Sequence, residues 1–236
     1  RRNMINGSGF LLIFSGPSGS GKDTVLHDII ARDDKTVVSI SMTTRAPRVG
    51  EVDGVDYYFV TKDEFESHIK NDEMLEWAKY GDNYYGTPKA PVIKWIEEGK
   101  TVILEIEVQG ADKIRAKYPD VMTMFLMPPS LHVLETRLRD RGTNSEEDIE
   151  VRLDVAKNEI GRASDYDYII VNNRLEDAVE DALEIIFRHR RHIRESRTQD
   201  EFYYGHQYKE LTIDDYIDED ARVLPPNEDF SERGLK

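Results

Sequence analysis

Residues 10–24, FLLIFSGPSGSGKDT, carry the pattern that decides the fold of this chain. The apolar run Phe10–Phe14 is typical of a strand buried on both faces of a parallel sheet. It leads into Gly16–Lys22, which matches the phosphate-loop pattern G-x-x-x-x-G-K, and helical spacing of apolar residues follows from Thr24 to Ala31. A strand, a glycine-rich turn and a helix in this order predict a loop whose backbone N–H groups bind phosphate oxygens.

The loop predicts a site for a nucleoside triphosphate. The amino end of the following helix adds positive partial charge, and the Lys22 ammonium group can reach the terminal phosphates. Asp23 stands where the pattern usually has Ser or Thr, so either Thr24 supplies the hydroxyl that helps to hold Mg²⁺, or water and phosphate hold most of the metal. The alternative for Asp23 is a favourable charge at the helix start and nothing more. The residues expected to bind ATP here are Gly16, Pro17, Ser18, Gly19, Ser20, Gly21, Lys22, Asp23 and Thr24.

Strand-like and helix-like segments alternate along most of the chain. This alternation predicts an α/β fold, a three-layer domain with a parallel, right-handed core sheet. A stretch rich in Gly, Asp and Tyr, from Pro47 to about Ala90, interrupts it and is interpreted as an inserted subdomain. The predicted strands are 10–14, 36–40, 101–108, 121–126 and 168–171, and the predicted helices are 24–31, 63–69, 111–117, 131–139, 146–160 and 175–194.

The composition excludes several classes of protein. The 236 residues include 32 Lys and Arg against 47 Asp and Glu, a formal net charge of -15, which argues against non-specific binding to nucleic acid or to anionic lipid. Cysteine is absent, so disulfides and thiol chemistry are excluded. No apolar run is long enough to span a membrane and the first residues lack a signal-peptide pattern, so we expect a cytoplasmic protein.

Further motifs narrow the reaction. They are SMTTRAPRVGEVDGVDYYF at 41–59, EWAKYGDNYYGT at 76–87, VILEIEVQGA at 102–111, PPSLHVLETRLRDRGT at 128–143 and VNN at 171–173. Together with the phosphate loop, these six blocks closely resemble the guanylate kinase family, over about residues 10–190. The resemblance implies a P-loop fold with an inserted GMP-binding subdomain and a helical lid, with ATP and GMP as substrates, Mg²⁺ as cofactor, and GDP formation in purine nucleotide metabolism.

The resemblance implies that the inserted subdomain binds GMP. Guanidinium forks and phenolic hydroxyls are suited to a phosphate group, although paired arginines are more often a solvated surface. Guanine carries two adjacent N–H donors that a carboxylate can accept together, and by resemblance this carboxylate is Glu76. The residues expected to bind GMP are Ser41, Arg45, Arg48, Tyr57, Glu76, Tyr85, Thr87 and Glu105, whereas Tyr58 and Tyr84 are expected to pack in the core.

Acidic residues alternate in the strand predicted at 101–108, so Glu105 and Glu107 should share one strand face. Glu105 is placed near the GMP ribose or in the metal shell with Thr24, mostly through water, and Glu107 is the weaker candidate. By resemblance Arg137, Arg141 and Arg152 belong to the ATP lid and join Lys22 and Arg45 as catalytic cations. Arg139 is expected to pair on a helix surface instead, and Asn172 to lie on the adenine side of the ATP site.

The expected organisation is one domain at 8–195, with the GMP-binding insertion at about 41–95 and the lid at about 137–160. An acidic tail follows at 196–236, since Thr198 to Lys236 holds eleven acids against four bases, a net of -7. The oligomeric state stays open. Two alternatives are a ribose-bisphosphate-type kinase on the same scaffold, which would not need Glu76, and a non-catalytic guanylate-kinase-like binding module, which Asp23 keeps open.

Overall fold

The computed structural model of this protein describes residues 9–140 and 145–196. They divide into two compact units, the first formed by 9–15, 29–123 and 186–196 and the second by 16–28, 124–140 and 145–185. Within the described residues, no helix combines the length and the apolar character that a membrane crossing needs. The predicted acidic tail lies outside the described residues, apart from its first residue.

The first unit contains two groups of strands. Its elements are β1 (Phe10–Ser15), β2 (Thr36–Val38), β3 (Met42–Thr43), β4 (Tyr58–Phe59), α2 (Lys62–Lys70), β5 (Met74–Tyr80), β6 (Asn83–Pro88), α3 (Lys89–Glu97), β7 (Thr101–Glu105) and α4 (Val108–Lys117). Parallel strands run in the order β2-β7-β1, with Phe10 and Thr36 both opposite Thr101. Every residue of β1 is buried, as the apolar run predicts for a central parallel strand.

A second, mostly antiparallel sheet has the order β4-β3-β6-β5. Its core contains Met42, Phe65 and Met74, against which the rings of Tyr58 and Tyr84 pack. The prediction that these two tyrosines are core residues is confirmed. Helix α2 begins with the capping box Thr61–Glu64, in which each side chain accepts the other residue's backbone N–H.

The second unit is built from helices and two parallel strands. Its elements are α1 (Lys22–Arg32), β8 (Met122–Met127), α5 (Leu131–Asp140), α6 (Glu146–Ile160), a 3-10 turn (Ala163–Asp165), β9 (Tyr168–Val171) and α7 (Leu175–Ser196). The end of α1 from Ile29 and the end of α7 from Ile186 count with the first unit. Strand β8 pairs with β9 in parallel register, Met124 opposite Tyr168. Helices α5 and α6 share a small core of Leu134, Leu138 and Ala156.

The predicted α/β class with parallel core strands is confirmed, but one predicted strand is too long and one helix lies where no element is predicted. The strand predicted at 101–108 ends at Glu105, because Val108 begins α4 and is buried with Ala111 and Ile114 at helical spacing. Helix α3 (Lys89–Glu97) is the helix that the sequence pattern did not indicate, and it contains Pro91. Proline is tolerated there because it lies in the first turn of the helix, where an N–H has no intrahelical partner.

Arg190 of α7 closes the amino ends of β2 and β7 within the first unit. Its guanidinium group donates to both Asp33 carboxylate oxygens, at 3.1 and 2.7 Å, and to the hydroxyls of Thr36 and Thr101, at 3.1 and 2.7 Å. The Asp33 side chain is only 6% exposed. Burial alone would raise the pKa of Asp33, but hydrogen bonds from Arg190 and Thr36 outweigh it and the pKa is lowered.

Arg190→Met should therefore lower the free energy of unfolding at pH 7 by about 3 kcal/mol, because Asp33 keeps its buried charge and loses its partner. The Asp33 pKa is lower in the folded chain than its ordinary 3.8, so its stabilising contribution is present above that value and is lost as pH falls. Urea denaturation measures both effects. Arg191→Met, at the exposed neighbouring position, should cost less than about 0.5 kcal/mol, and equal losses in the two variants would contradict the assignment.

Candidate active site

The phosphate loop, Gly16–Lys22, lies in the second unit and is partly closed by its own hydrogen bonds. The Ser20 N–H donates to the Pro17 carbonyl at 3.1 Å. The Lys22 Nζ donates to the Gly16 carbonyl at 2.8 Å and to the Pro17 carbonyl at 3.4 Å. The ammonium group is thereby held against the loop itself, in the place where the motif predicts a phosphate-binding cation.

Asn172 holds the loop from outside. This residue follows β9 and is buried, and its amide donates to the Ser20 carbonyl at 2.7 Å while its backbone N–H donates to the Met127 carbonyl. Gly21 has φ +92°, and a Cβ there would lie 2.5 Å from the Asn172 amide nitrogen. Only glycine combines this conformation with this close approach. Asn172 thus contacts the loop, a contact that the predicted adenine-side role does not include.

Two of the predicted lid arginines reach the same loop. Arg137 of α5 donates to the Ser20 carbonyl at 3.3 Å and to the Asn172 carbonyl at 3.1 Å. Arg152 of α6 donates to the Ser18 hydroxyl at 3.1 Å. Arg141 lies outside the described residues. Helices α5 and α6 therefore each bring a guanidinium group to the phosphate loop.

Arg139 behaves as predicted and pairs on the surface. It donates to Glu135, four residues earlier on α5, and to Glu146 at the start of α6. The two carboxylates raise the pKa of Arg139. The prediction of a surface ion pair is confirmed for this residue.

A cavity of about 450 Å³ opens beside the loop. Its volume is within the usual range for small-ligand sites. Thr24 contributes to its wall, whereas Asp23 is exposed in the first turn of α1. The other wall residues include Gly19, Gly21 and Asn172, which are predicted at the ATP site, and Arg137, which is predicted in the lid.

The first unit gathers the residues predicted to bind a second phosphate group. Arg45 donates to both oxygens of Glu51 at 2.8 Å, and Glu51 also accepts the Arg48 N–H at 2.7 Å. The Arg45 guanidinium group lowers the pKa of Glu51 to about 2, and Glu51 raises the pKa of Arg45. The sequence reasoning missed Glu51. The sequence feature that could have indicated Glu51 is its position six residues after Arg45, with Pro47 and Gly50 between them to form a turn.

Tyr57 and Tyr85 lie beside Arg45. Their ring centroids are 6.3 Å apart, and the Arg45 guanidinium carbon is 5.4 Å from the Tyr57 ring centroid. Burial raises the pKa of Tyr57, so its hydroxyl stays protonated and able to donate. The structure thus brings together three of the predicted phosphate ligands, while the Arg48 residue is exposed on the adjoining turn.

Glu76, in β5, is a buried carboxylate of this unit and is only 7% exposed. The Thr87 hydroxyl of β6 donates to its Oε1 at 2.9 Å. Burial raises the pKa of Glu76, and the Thr87 hydrogen bond and the charges of Lys113 and Lys117 oppose that rise. Ser41, the other predicted guanine contact, precedes β3 and is half-buried.

The two acidic residues after Leu104 do not share a strand face, which corrects the prediction. Glu105 is the last residue of β7 and is half-buried. Glu107 is the N-cap residue of α4, and its carboxylate accepts the Tyr80 hydroxyl. The alternation of acids is broken because the strand ends between them and the helix begins. Glu105 alone keeps the strand-end position expected of an acid near a metal.

A complete phosphate loop after a buried parallel strand, with guanidinium groups from two helices around it, is typical of the class of P-loop proteins that bind nucleoside triphosphates and transfer phosphoryl groups. Residues 8–189 match the family model of guanylate kinase. The chain therefore belongs to the guanylate kinase family.

The similarity to individual members is high. The chain is 50% identical to the guanylate kinase of Carboxydothermus hydrogenoformans over 173 residues, 73% of this chain and 85% of that protein. It is 53% identical to that of Lactococcus lactis subsp. lactis over 178 residues, 75% of this chain and 87% of that protein. The crystal structure of guanylate kinase from Anaplasma phagocytophilum superposes with a TM-score of 0.62 at 32% identity, covering 83% of this chain and 98% of that one.

Asn172→Ala should weaken ATP binding about tenfold, because the Ser20 carbonyl loses a buried donor and the loop loses its outer support. GMP affinity should stay unchanged. Isothermal titration with each nucleotide measures both. Asn158→Ala, an exposed asparagine on α6, is the matched control, and an Asn172→Ala protein that binds ATP normally would show that the contact does not shape the loop.

Proposed function

We propose that the phosphate-loop cavity of this chain binds ATP, that the second sheet binds GMP, and that the γ-phosphoryl group passes directly between them. As a guanylate kinase, the chain catalyses ATP + GMP = ADP + GDP. The observation that carries the choice of acceptor is Glu76, a buried carboxylate held by Thr87. A ribose-bisphosphate-type kinase has no use for such a carboxylate, and the complete phosphate loop disfavours a non-catalytic module.

On the donor side, the loop N–H groups and Lys22 bind the β- and γ-phosphates of ATP. Lys22 exchanges its contacts with the Gly16 and Pro17 carbonyls for contacts with phosphate oxygens. Arg137 and Arg152 already contact the loop and stabilise the charge that spreads over the transferred group. Arg141 acts with them, and closure of the lid at about 137–160 excludes water that would otherwise hydrolyse ATP.

On the acceptor side, Arg45 and Arg48 bind the GMP phosphate, and Tyr57 and Tyr85 donate phenolic hydrogen bonds to it. Arg45 starts from a bidentate pair with Glu51, which fixes the guanidinium plane before the phosphate arrives. The GMP phosphate therefore binds a pre-oriented cation, and little side-chain entropy is lost on binding.

Glu76 distinguishes guanine from adenine. Its carboxylate accepts the N1–H and the exocyclic N2–H of guanine together, while Ser41 and Thr87 hydroxyls lie near O6. Adenine has no matching pair of donors, so it would leave a buried carboxylate without partners, which costs several orders of magnitude in specificity. Glu105 contacts the ribose or the metal shell.

Mg²⁺ fits the residues of this chain as a cofactor held largely through water and phosphate. Within residues 9–140 and 145–196, no three His, Cys, Asp or Glu side chains form a cage for a metal ion. Mg²⁺ commonly keeps several waters and takes one or two protein oxygens, and Thr24 and Glu105 offer oxygens of that kind. Bound with ATP, the ion neutralises charge on the phosphates.

The transfer needs no general base, because the attacking atom is an anionic phosphate oxygen of GMP. That oxygen forms a bond to the γ-phosphorus as the bond from the γ-phosphorus to the bridging oxygen breaks, and ADP leaves. Positioning and charge neutralisation carry the rate, provided that the reacting atoms come within about 3–3.5 Å.

The cytoplasmic location remains a prediction from the sequence.

A coupled assay for ADP tests the proposed function. With MgATP, we expect turnover with GMP and less than about 1% of that rate with AMP, UMP or a phosphorylated sugar. Excess EDTA should abolish it. Turnover with the sugar phosphate would favour the ribose-bisphosphate alternative, and no turnover with any acceptor would favour the binding module.

Glu76→Gln should lower kcat/KM for GMP about 100-fold, because the amide NH₂ faces a guanine donor where the carboxylate had an acceptor. The KM for ATP should not change. Steady-state kinetics with both substrates measure the difference. Glu97→Gln, an exposed glutamate on α3, serves as the control, and a similar loss for ATP and GMP would mean that Glu76 supports the fold rather than the base.

A further inference from the structure

Two lysines of α4 hold the backbone on either side of Glu76. The Lys117 Nζ donates to the Leu75 carbonyl at 3.0 Å, and the Lys113 Nζ donates to the Trp77 carbonyl at 2.5 Å. Lys113 also lies 5.8 Å from the centroid of the Trp77 ring. One ammonium group therefore binds the residue before the carboxylate, and a second binds the residue after it.

The geometry of the two elements explains this arrangement. Residues four apart on a helix lie on the same face, and carbonyls two apart on a strand point to the same side. Among the strands of residues 9–140 and 145–196, β5 lies at the edge of its sheet, so carbonyls on its outer side have no neighbouring strand there to donate to them. Its register also shifts between Met74 and Glu76, which loosens the ladder at this point. The lysines supply the missing donors there.

The same helix approaches the carboxylate itself. A Cβ on Gly110, in the first turn of α4, would lie 3.5 Å from Glu76 Oε2. In the described part of the chain, the polar groups that act on this carboxylate are Thr87 from β6 and the two lysines from α4. Their positive charge opposes the effect of burial and favours the ionised form.

We propose that Lys113 and Lys117 are positioning residues for guanine recognition, which hold the Glu76 segment in place and bring two positive charges to it. The inference rests on the proposed role of Glu76 in GMP binding. Only an ionised carboxylate can accept both guanine donors, since a protonated one offers an O–H where guanine also has a hydrogen. The lysines themselves do not touch the substrate in this proposal.

Lys113→Met and Lys117→Met test it, because methionine keeps the length of the stem and removes the charge. Each variant should raise the KM for GMP about 3- to 10-fold with the KM for ATP unchanged. The acid limb of kcat/KM for GMP should move to higher pH, because Glu76 loses a charge that lowers its pKa. Lys113→Arg and Lys117→Arg should keep most of the wild-type affinity for GMP, and Lys94→Met, at an exposed position of α3, should change nothing.

A double-mutant cycle separates positioning from a general structural role. If the lysines act through Glu76, Lys113→Met should have almost no further effect on GMP affinity in a Glu76→Gln background. Additive losses in the double variant would overturn the proposal, as would an unchanged acid limb in both single variants. Thermal denaturation identifies a variant that is merely unfolded, and Lys113 and Lys117 provide two independent positions.

GMP affinity from isothermal titration, measured on the whole chain, distinguishes this inference from the proposed function. If the wild-type protein binds GMP but does not phosphorylate it, the kinase assignment fails. The double-mutant cycle, measured as GMP dissociation constants, still decides the role of the lysines in that case. Should turnover be normal and the cycle additive, the lysine inference alone fails.

Discussion

The hydrogen bond from the Asn172 amide to the Ser20 carbonyl is the contact that holds the phosphate loop to the end of β9. A glycine-rich loop loses much backbone entropy on ordering, so its own contacts do not suffice to hold one conformation. Asn172 is itself fixed by its backbone bond to Met127 on β8. The loop thus takes its shape from a buried strand, and Gly21 must lack a side chain for this contact to form.

The cations that we propose to act on the transferred phosphate have similar partners in this structure. Lys22, Arg137 and Arg152 each donate to a neutral oxygen of the phosphate loop, a carbonyl or a hydroxyl. A neutral oxygen binds a cation less strongly than a phosphate does, so the exchange on nucleotide binding is favourable. Arg45 differs, because its partner Glu51 carries a full charge. The carboxylate orients this guanidinium more firmly, and in the proposed function the GMP phosphate shares the guanidinium with Glu51.

Much of this arrangement follows from local sequence patterns, and the remainder depends on contacts between distant residues. The phosphate loop and the capping residue Thr61 are signalled by their immediate neighbours, and so is the Arg139 pair four residues from Glu135. Glu51 could not be assigned, because its role depends on a turn that folds it back onto Arg45. No helix was predicted at α3, which contains Pro91 in its first turn. The end of β7 was predicted too late, because Glu107, two residues after Glu105, continues the spacing of a strand.

Lys113 and Lys117, for which we propose a positioning role, are a further case in which the sequence alone does not indicate the contact. On the sequence alone they are two exposed lysines one helical turn apart, a spacing that is typical of a solvated helix face. Only the tertiary structure places α4 against the outer carbonyls of β5. A chain with a net charge of -15 repels anionic substrates at long range, so its few clustered cations must act at contact distance. Under our proposals, the lysines that hold the Glu76 segment therefore belong to the acceptor site as much as the arginines that bind the phosphate.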